Sequence, residues 1–154
     1  AFVRDMSEAE FMRVLQINLV GAFLTCREAV RRWLAAKRPG RIVNVTSQAA
    51  FHGATTGHAH YAASKAGLVS FSISLAREVA PHGIHVNLVA PGMMRTEMAR
   101  DALAANEQRY LERIPLGRVA EASEVADVVV FLASDRAKYM TGATVDVTGG
   151  MLMR

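Results

Sequence analysis

The run Ile42-Val43-Asn44-Val45-Thr46 decides the fold class of this chain. It is a short, β-branched stretch between two long segments of helical spacing, so it predicts a buried strand. Pro39-Gly40 ends the segment before the run, and the segment after it opens at Tyr61. An order of helix, strand and helix is typical of a parallel α/β sheet.

The helical segment before this strand begins at a capping box. Ser7, followed three residues later by Glu10, is typical of a helix start. The helix is expected to run to about Lys37, and Gly21 near its middle predicts a kink. A stripe of apolar residues with one polar member follows the helix: Phe11, Leu15, Asn18, Ala22, Cys26, Ala29 and Trp33.

The same alternation continues to the end of the chain. Residues 47–60 are expected to form a loop, and the helix that opens at Tyr61 is expected to end near Pro81-His82-Gly83. The elements predicted after it are a strand at 85–90, a helix from 96 to about 113, a helix capped by Ser123 and a strand at 143–147. About three parallel strands leave an open edge on the first strand, and such an edge invites a partner.

Length and composition indicate one globular domain. The chain has 154 residues, of which 51% are hydrophobic and 21% charged, as expected for a chain that buries a core. No apolar run reaches the length of a membrane span, and no signal peptide opens the chain. Cys26 is the only cysteine, which excludes an intrachain disulfide and predicts a small core residue. These features predict a cytoplasmic protein with no membrane partner.

The chain is basic, with a net charge of +4 and a pI of about 9.7. A basic cluster can indicate nucleic-acid binding, but cations also suit the carboxyl end of a helix. Trp33 is the only aromatic residue interleaved with the densest cluster, so a solvated helix end is favoured and no nucleic-acid partner is expected. The cluster comprises Arg27, Arg31, Arg32, Lys37 and Arg38.

Tyr61, Lys65 and Ser47 are the residues that most indicate chemistry. Tyr61 and Lys65 lie four residues apart at the start of a predicted helix, so they share one face of it. An ammonium near a phenol favours the phenolate form, and such a phenol can exchange protons near neutral pH. Ser47 follows the first strand, at the edge where parallel sheets bind ligands, and its hydroxyl can donate a hydrogen bond to a substrate carbonyl.

These three residues resemble the signature of the short-chain dehydrogenase/reductase family, which is Tyr-x-x-x-Lys with an upstream Ser. The wider string Tyr61-Ala62-Ala63-Ser64-Lys65-Ala66-Gly67 is far more specific than Tyr-x-x-x-Lys alone. Ser47 precedes Tyr61 by fourteen residues, one more than is usual for the family. The extra residue predicts a longer loop near residues 52–60.

The resemblance implies both a fold and an activity. The fold is the C-terminal part of a Rossmann-like, doubly wound parallel sheet. The activity is an NAD- or NADP-dependent hydride transfer between a carbonyl and a secondary alcohol, with a small molecule as the substrate. Tyr61 is then the general acid in reduction and the base in oxidation. Lys65 supports Tyr61 and hydrogen-bonds the nicotinamide ribose.

Asn18 is a further candidate for the catalytic site. The string Asn18-Leu19-Val20-Gly21 matches the family's Asn-x-x-Gly. The resemblance implies that Asn18 holds a water that relays protons from Lys65. The alternative is a structural amide that satisfies a neighbouring backbone group at the kink near Gly21.

The string Pro91-Gly92-Met93-Met94-Arg95-Thr96 resembles the family's Pro-Gly loop, which holds the nicotinamide carboxamide. The resemblance therefore assigns cofactor contacts to Pro91, Gly92, Met94 and Thr96, in addition to Tyr61 and Lys65. The alternative for Thr96 is a cap for the next helix. The closing pattern of the family is matched by residues whose role is expected to be backbone geometry: Gly142, Asp146, Gly149 and Gly150.

His58 and His60 lie close to Tyr61 and suggest a metal site at first sight. Two loop histidines without a carboxylate or cysteine partner make a poor metal site, so no metal is expected. A place in the lining of the substrate pocket, or no role at all, is the favoured interpretation.

The family's glycine-rich phosphate-binding strings have no counterpart in this sequence, which contains no Gly-x-Gly-x-x-Gly. Residues 1–154 are therefore expected to be a single partial domain, whose cofactor half lies outside the chain. The family uses its two long helices in a dimer interface, so a homo-dimer or tetramer is expected. The alternative function is a non-catalytic fragment of this family that serves as an oligomerisation or scaffold module.

Overall fold

The structure, a computed structural model, describes residues 1–54, 57–97 and 99–154. Its strands in chain order are β1 (Gly40–Val45), β2 (Ile84–Pro91), β3 (Met94–Arg95), β4 (Ala120–Glu121) and β5 (Thr144–Val147). Strands β1, β2 and β5 form a parallel sheet in the order β1-β2-β5, and β3 pairs with β4 separately. The predicted α/β fold with a three-stranded parallel sheet is confirmed.

Helices fill both crossovers of the sheet, as parallel pairing requires. In chain order they are α1 (Glu8–Leu15), α2 (Gly21–Ala35), α3 (Ala49–His52), α4 (Ala59–Val79), α5 (Arg100–Leu111) and α6 (Ala122–Ala133). Short 3₁₀ turns occur at Val3–Asp5, Ala80–His82 and Asp135–Ala137. Helices α3 and α4 lie between β1 and β2, whereas α5 and α6 lie between β2 and β5.

The central strand β2 organises the core. Ile84, Val86, Leu88 and Val89 are each 0% exposed, and because successive residues of a strand point to opposite faces, both faces of β2 are covered. Helix α4 packs on β2, and α6 contacts all three strands of the sheet. One apolar cluster joins α2, α4 and β2 through Cys26, Val30, Leu75, Ala76, Val79, Ile84 and Val86.

The first long helix is continuous but changes its hydrogen-bonding pattern in the middle. Ser7 is the N-cap of α1, and its Oγ accepts a hydrogen bond of 3.2 Å from the Glu10 N–H. Residues Gln16–Val20 form a π-helical segment, closed by a bond from the Gly21 N–H to the Gln16 carbonyl. A π-helical segment therefore takes the place of the predicted kink, and Asn18 lies at its centre. Single π-helical turns of this kind often mark functional sites.

Three local predictions were wrong. The expected loop at 47–60 contains the short helix α3, and α5 begins at Arg100 rather than near residue 96. Glu121, not Ser123, caps α6, because the side chains of Glu121 and Glu124 complete a reciprocal capping box. Met98, Thr55 and Thr56 lie outside the described residues, so the parts of the predicted helix and loop that fall on them are not assessed.

By length and composition, one helix of the described chain, Glu8–Ala35, would suffice to cross a membrane. It spans 28 residues, and its apolar window is 6% buried in the monomer. One such helix is weak evidence for a span, because core helices of soluble proteins and signal sequences share this length and composition. The observation does show that the first helix carries an apolar face that this chain leaves uncovered.

Candidate active site

Lys65 extends from α4 to the carboxyl end of β1. Its Nζ donates a hydrogen bond of 3.0 Å to the Val45 carbonyl, and Thr46 Oγ1 donates one of 3.0 Å to the Lys65 carbonyl. Partial burial lowers the pKa of the Lys65 ammonium below its ordinary value. Because an ammonium has three N–H donors, the bond to Val45 leaves others that can bind a ligand.

Tyr61 lies in the first turn of α4, one turn before Lys65. The Lys65 Nζ is 5.8 Å from the centroid of the Tyr61 ring, a distance at which a cation is still attracted to an aromatic face. The structure therefore brings the phenol and the ammonium together on one face of α4, as their four-residue spacing predicts.

Ser47 is buried directly after β1. Its Oγ accepts a hydrogen bond of 3.1 Å from the Ala49 N–H, and its carbonyl accepts one of 3.0 Å from the Ala50 N–H. These bonds belong to the turn before the short helix α3, whose N-cap is Gln48. The hydroxyl proton of Ser47 remains available for donation. Ser47 is two residues from Val45, whose carbonyl holds Lys65. The approach of the Tyr61 hydroxyl to Ser47 stays a prediction.

Asn18 is linked to helix α4 through Ser64. Its Nδ2 donates a hydrogen bond of 3.1 Å to Ser64 Oγ, and Ser64 Oγ in turn donates one of 2.7 Å to the Tyr61 carbonyl. Ser64 is 0% exposed. The π-helical segment therefore places the Asn18 amide beside the turn that carries Tyr61 and Lys65. The relay water implied by the family resemblance stays a prediction.

Pro91 and Gly92 lie at the carboxyl end of β2, beside the Ser47 loop. The Pro91 carbonyl accepts a hydrogen bond of 3.0 Å from the Gln48 N–H, and the Gly92 N–H donates one of 2.9 Å to the Val147 carbonyl. A Cβ at Gly92 would lie 3.0 Å from Thr148 Cα. This approach of two backbones is tighter than most Cβ contacts, so it favours glycine at this position.

Met94 and Thr96 continue the same loop away from the sheet. Met94 belongs to β3 and is paired with Ala120 of β4. Thr96 Oγ1 accepts a hydrogen bond of 3.2 Å from the Ala99 N–H, so it closes the turn that precedes α5. The N-cap of α5 is Ala99, so the alternative that Thr96 caps this helix is wrong. The cofactor contacts assigned to Met94 and Thr96 stay predictions.

A cavity of about 80 Å³ lies next to this loop. Arg118 and Glu124 form a two-pronged ion pair on its wall, with N–O distances of 2.6 and 2.7 Å. The hydrogen bonds from Arg118, and less strongly from the Glu121 N–H, lower the pKa of Glu124 to about 2. The other lining residues are Met93, Ile114, Leu116, Ala120, Val147, Thr148 and Gly149.

The two histidines near Tyr61 differ in their surroundings. His58 is exposed, and its ring stacks on that of His60 with centroids 6.2 Å apart. His60 is buried in the first turn of α4, and its Nε2 lies 3.6 Å from Glu10 Oε1. Among residues 1–54, 57–97 and 99–154, no group of three or more histidine, cysteine or acidic side chains is arranged to hold a metal.

The sequence did not indicate Ser64 or Glu10 as contacts of the site, and it suggested for His60 only a place in the substrate pocket or no role. Ser64 lies on the buried face of α4, as Asn18 lies on the apolar stripe of the first long helix. A polar residue on an apolar stripe was therefore a signal in both helices that a hydrogen bond could join them. Glu10 was understood only as part of a cap, and nothing local indicates that its carboxylate faces His60. That contact joins residues fifty positions apart, so only the tertiary structure reveals it.

The chain belongs to the short-chain dehydrogenase/reductase family. A family model described as enoyl-(acyl carrier protein) reductase matches residues 2–152. The chain is 44% identical over 146 residues to a 3-oxoacyl-[acyl-carrier-protein] reductase of Aquifex aeolicus, covering 95% of this chain and 58% of that protein. It is 45% identical over 148 residues to the enzyme of the same name from Escherichia coli, covering 96% and 60%.

A solved structure supports the same assignment. A candidate 2-deoxy-D-gluconate 3-dehydrogenase of Agrobacterium tumefaciens, crystallised with bound NADP, superimposes with a TM-score of 0.94 at 37% identity. The match covers 100% of this chain and 63% of that one. The chain therefore spans about three fifths of the length of the relatives it matches.

Proposed function

We propose that this chain carries the catalytic residues of an oxidoreductase that moves a hydride between a carbonyl and a secondary alcohol. The observation that carries the proposal is the position of Lys65. Its ammonium is held by the Val45 carbonyl at the carboxyl end of β1, 5.8 Å from the Tyr61 ring. Ser47 follows Val45 by two residues in the chain. Membership of a family of oxidoreductases supports the same conclusion.

The proton chemistry follows from these side chains. In reduction, the Tyr61 hydroxyl gives its proton to the substrate oxygen while the carbonyl carbon is reduced. Ser47 donates a hydrogen bond to the same oxygen, where negative charge develops. The Lys65 ammonium stabilises the phenolate left on Tyr61, and Asn18 holds the turn through Ser64. In oxidation the phenolate takes the proton from the alcohol.

The cofactor is NADH or NADPH, which supplies the hydride when bound. The residues proposed to hold its nicotinamide end are those at the carboxyl ends of β1 and β2. Lys65 fits the ribose hydroxyls because it retains free N–H donors. The others are Tyr61, Pro91, Gly92, Met94 and Thr96. Relatives include a structure with bound NADP, and both cofactors remain candidates for this chain.

We infer that residues outside these 154 supply the phosphate-binding half of the site. Pyrophosphate binding needs backbone N–H groups at a glycine-rich turn and a helix N-terminus, and the sequence offers no such string after a strand. The cavity of about 80 Å³ beside the Pro91–Gly92 loop is far below the 300–1,000 Å³ typical of small-molecule sites. A half-site forgoes contacts that offset the entropy lost on binding.

Titration calorimetry on the 154-residue chain tests this division. Circular dichroism first establishes that the chain is folded, and NADH and NADPH are then titrated separately. The expected result is binding too weak to measure at micromolar concentration, with no turnover. Micromolar binding to the isolated chain would show that the phosphate site lies within it.

The substrate class is proposed from the relatives. Their names specify a 3-oxoacyl group on a carrier protein in one case and a sugar acid oxidised at its third position in the other. The protein that contains this chain should therefore be assayed with a 3-oxoacyl thioester and with 2-deoxy-D-gluconate. Oxidation of NADPH in the presence of the thioester, but no reaction with the sugar acid, would favour the first substrate class.

We place the enzyme in the cytoplasm, as a homo-oligomer.

The second candidate function is a non-catalytic oligomerisation or scaffold module. The observation that favours it is the uncovered apolar face of the first long helix, whose exposed members are Met12, Ile17, Phe23, Leu24 and Leu34. The two functions differ in one measurement. A scaffold tolerates Tyr61→Phe without loss of its role, whereas the enzyme does not.

A further inference from the structure

Glu10 does not use its carboxylate as its local sequence predicts. In a full capping box the third residue of the helix reaches back to the N-cap backbone. Ser7 Oγ does accept the Glu10 N–H, at 3.2 Å. The Glu10 carboxylate instead has its Oε1 at 3.6 Å from His60 Nε2. A departure from a local rule often has a tertiary reason, and here that reason is the contact with α4.

His60 is fixed in place on the other side of this contact. Its side chain is 8% exposed, and it lies immediately before Tyr61. The exposed ring of His58 stacks on it from the preceding loop. The Nδ1 atom of His60 is buried and has no hydrogen-bond partner among the described residues. Glu10 is therefore the acidic group that the described structure places against the His60 ring.

The Glu10 carboxylate lies at the N-terminal end of α4. The first N–H groups of a helix lack partners inside it, and a carboxylate near a helix N-terminus is stabilising through the helix dipole. Through its contact with His60, Glu10 brings such a charge from α1 to the turn that contains Tyr61.

Two side-chain contacts with the first long helix thus enclose Tyr61. Glu10 contacts His60, the residue before Tyr61, and Asn18 bonds Ser64, three residues after it. Glu10 and Asn18 are eight residues apart, about 12 Å along a helix, so the two contacts fix the direction of α4 as well as its position.

We propose that Glu10 and His60 are positioning residues for Tyr61, and that they hold the first turn of α4 in the geometry that proton transfer requires. This inference rests on the proposed function of Tyr61. Neither side chain is required to touch the substrate or the cofactor. Their effect is exerted through the backbone of α4, by limiting the movement of the Tyr61 hydroxyl relative to Ser47 and Lys65.

The test uses the complete protein that contains this chain, four single variants and one double variant. Glu10→Gln removes the charge, and His60→Phe keeps a ring but removes the N–H. His60→Gln keeps a donor for Glu10 and serves as the conservative variant. Glu8→Gln is the matched control, because Glu8 is an exposed acidic residue in the same turn of α1. The double variant of Glu10→Gln with His60→Phe completes a cycle.

Turnover and amide hydrogen exchange are then measured. Glu10→Gln and His60→Phe are expected to lower kcat about tenfold, as small misplacements of a catalytic group do, with KM for NADPH unchanged. The double variant should be no slower than either single variant, because both remove one contact. His60→Gln should recover part of the loss. Exchange in the first turn of α4 should accelerate in the impaired variants and not in Glu8→Gln.

Several outcomes would overturn the proposal. They are an unchanged kcat in folded Glu10→Gln and His60→Phe, multiplicative losses in the double variant, or unchanged exchange in the first turn of α4. The exchange measurement does not depend on catalysis, so it stands even if the proposed function is wrong. Tyr61→Phe, assayed in parallel, separates the two, because full activity in that variant would reject the function and not the contact.

Discussion

At the residue scale, the proposed chemistry depends on one atom, the hydroxyl oxygen of Tyr61 beside Lys65. Tyr61→Phe removes only the hydroxyl and keeps the ring that lies beside the Lys65 ammonium. In the complete protein we expect this change to abolish turnover, because the phenol moves the proton. Cofactor affinity should change little, since the proposed cofactor contacts are made mostly by other groups. Steady-state kinetics and cofactor titration measure the two effects separately.

A matched control for this variant is Tyr139→Phe. Tyr139 is fully exposed in the structure, so loss of its hydroxyl should leave turnover at the wild-type level. Near-normal turnover in Tyr61→Phe would rule out Tyr61 as the acid or base. Equal losses in both tyrosine variants would point to a general effect on the protein rather than to proton transfer.

The ion pair of Arg118 and Glu124 gives the protein a defined response to acid. Its hydrogen bonds lower the pKa of Glu124 from 4.5 to about 2. A carboxyl group with a depressed pKa in the folded state stabilises the fold above its unfolded value, and this contribution is lost as the pH falls through the folded value. We expect Glu124→Gln to lower stability at neutral pH, and to flatten the decline of stability between pH 4.5 and about 2.

Denaturant unfolding at a series of pH values measures this response. The effect should be small, because both side chains are substantially exposed and water screens their attraction. Glu112→Gln is the matched control, because Glu112 is an exposed glutamate without an ion pair in the described structure. If Glu124→Gln and Glu112→Gln have the same stability profile over this acid range, the pair does not contribute as its geometry predicts.

At the element scale, the turn after β5 packs tightly on the segment before β4. Gly149 has a φ of +64°, and a Cβ placed there would lie 2.7 Å from Ile114 Cγ2. Gly117 has a similar φ of +66° with nothing within 4 Å of the same position. Both glycine-to-alanine changes strain the backbone, but only the change at Gly149 also overpacks the core.

We therefore expect Gly149→Ala to destabilise the fold by about 1–3 kcal/mol more than Gly117→Ala, the range typical of overpacking. Thermal or denaturant unfolding of the two variants provides the comparison, and the shared backbone strain cancels in the difference. Equal destabilisation would mean that Ile114 moves aside without cost. A soluble but inactive Gly149→Ala protein would link this turn to the adjacent Pro91–Gly92 loop.

Elements with strong local signals could be predicted from the sequence. The β-branched run before Ser47 and the cap at Ser7 are such signals, and each is decided by neighbours in the chain. No local signal of this kind marks the π-helical segment at Gln16–Val20, whose central residue Asn18 bonds Ser64, 46 residues further along the chain. Ser123 is the expected cap of α6 because serine is common at N-caps. Glu121 is the N-cap in the structure, because its side chain and that of Glu124 form reciprocal bonds with each other's backbone.

Some features of the candidate site could likewise be predicted from local geometry, and others could not. The proximity of Tyr61 and Lys65 follows from helical geometry alone, since residues four apart share a face. The meeting of the Ser47 loop with Pro91 follows from the parallel sheet, which brings the carboxyl ends of β1 and β2 together. The contact between Glu10 and His60 joins two helices at one point, and no periodicity in either helix specifies it.

At the scale of the whole molecule, the uncovered apolar face of the first long helix predicts self-association. Extended apolar patches on a soluble protein mark interfaces. We expect the protein to be a dimer or tetramer by light scattering at micromolar concentration, assembled through this helix and α4. Leu24→Lys, at an exposed position of the face, should shift the protein toward the monomer by placing a charge in the interface.

Leu116→Lys is the matched control. Leu116 is also an exposed leucine, but it lies outside the first long helix, in the lining of the cavity beside the Pro91–Gly92 loop. It should leave the oligomeric state unchanged. A monodisperse wild-type monomer would count against self-association. An oligomer that persists in Leu24→Lys and dissociates in Leu116→Lys would place the interface at the other site.

The single cysteine of this chain sits where the first long helix meets the sheet. Cys26 is 3% exposed, its Sγ contacts Asn44 Oδ1 of β1 at 3.6 Å, and burial raises the pKa of its thiol. Only the thiolate reacts readily with alkylating reagents. Native protein should therefore resist alkylation until α2 separates from β1. The rate at which Cys26 is alkylated then measures how often α2 separates from β1.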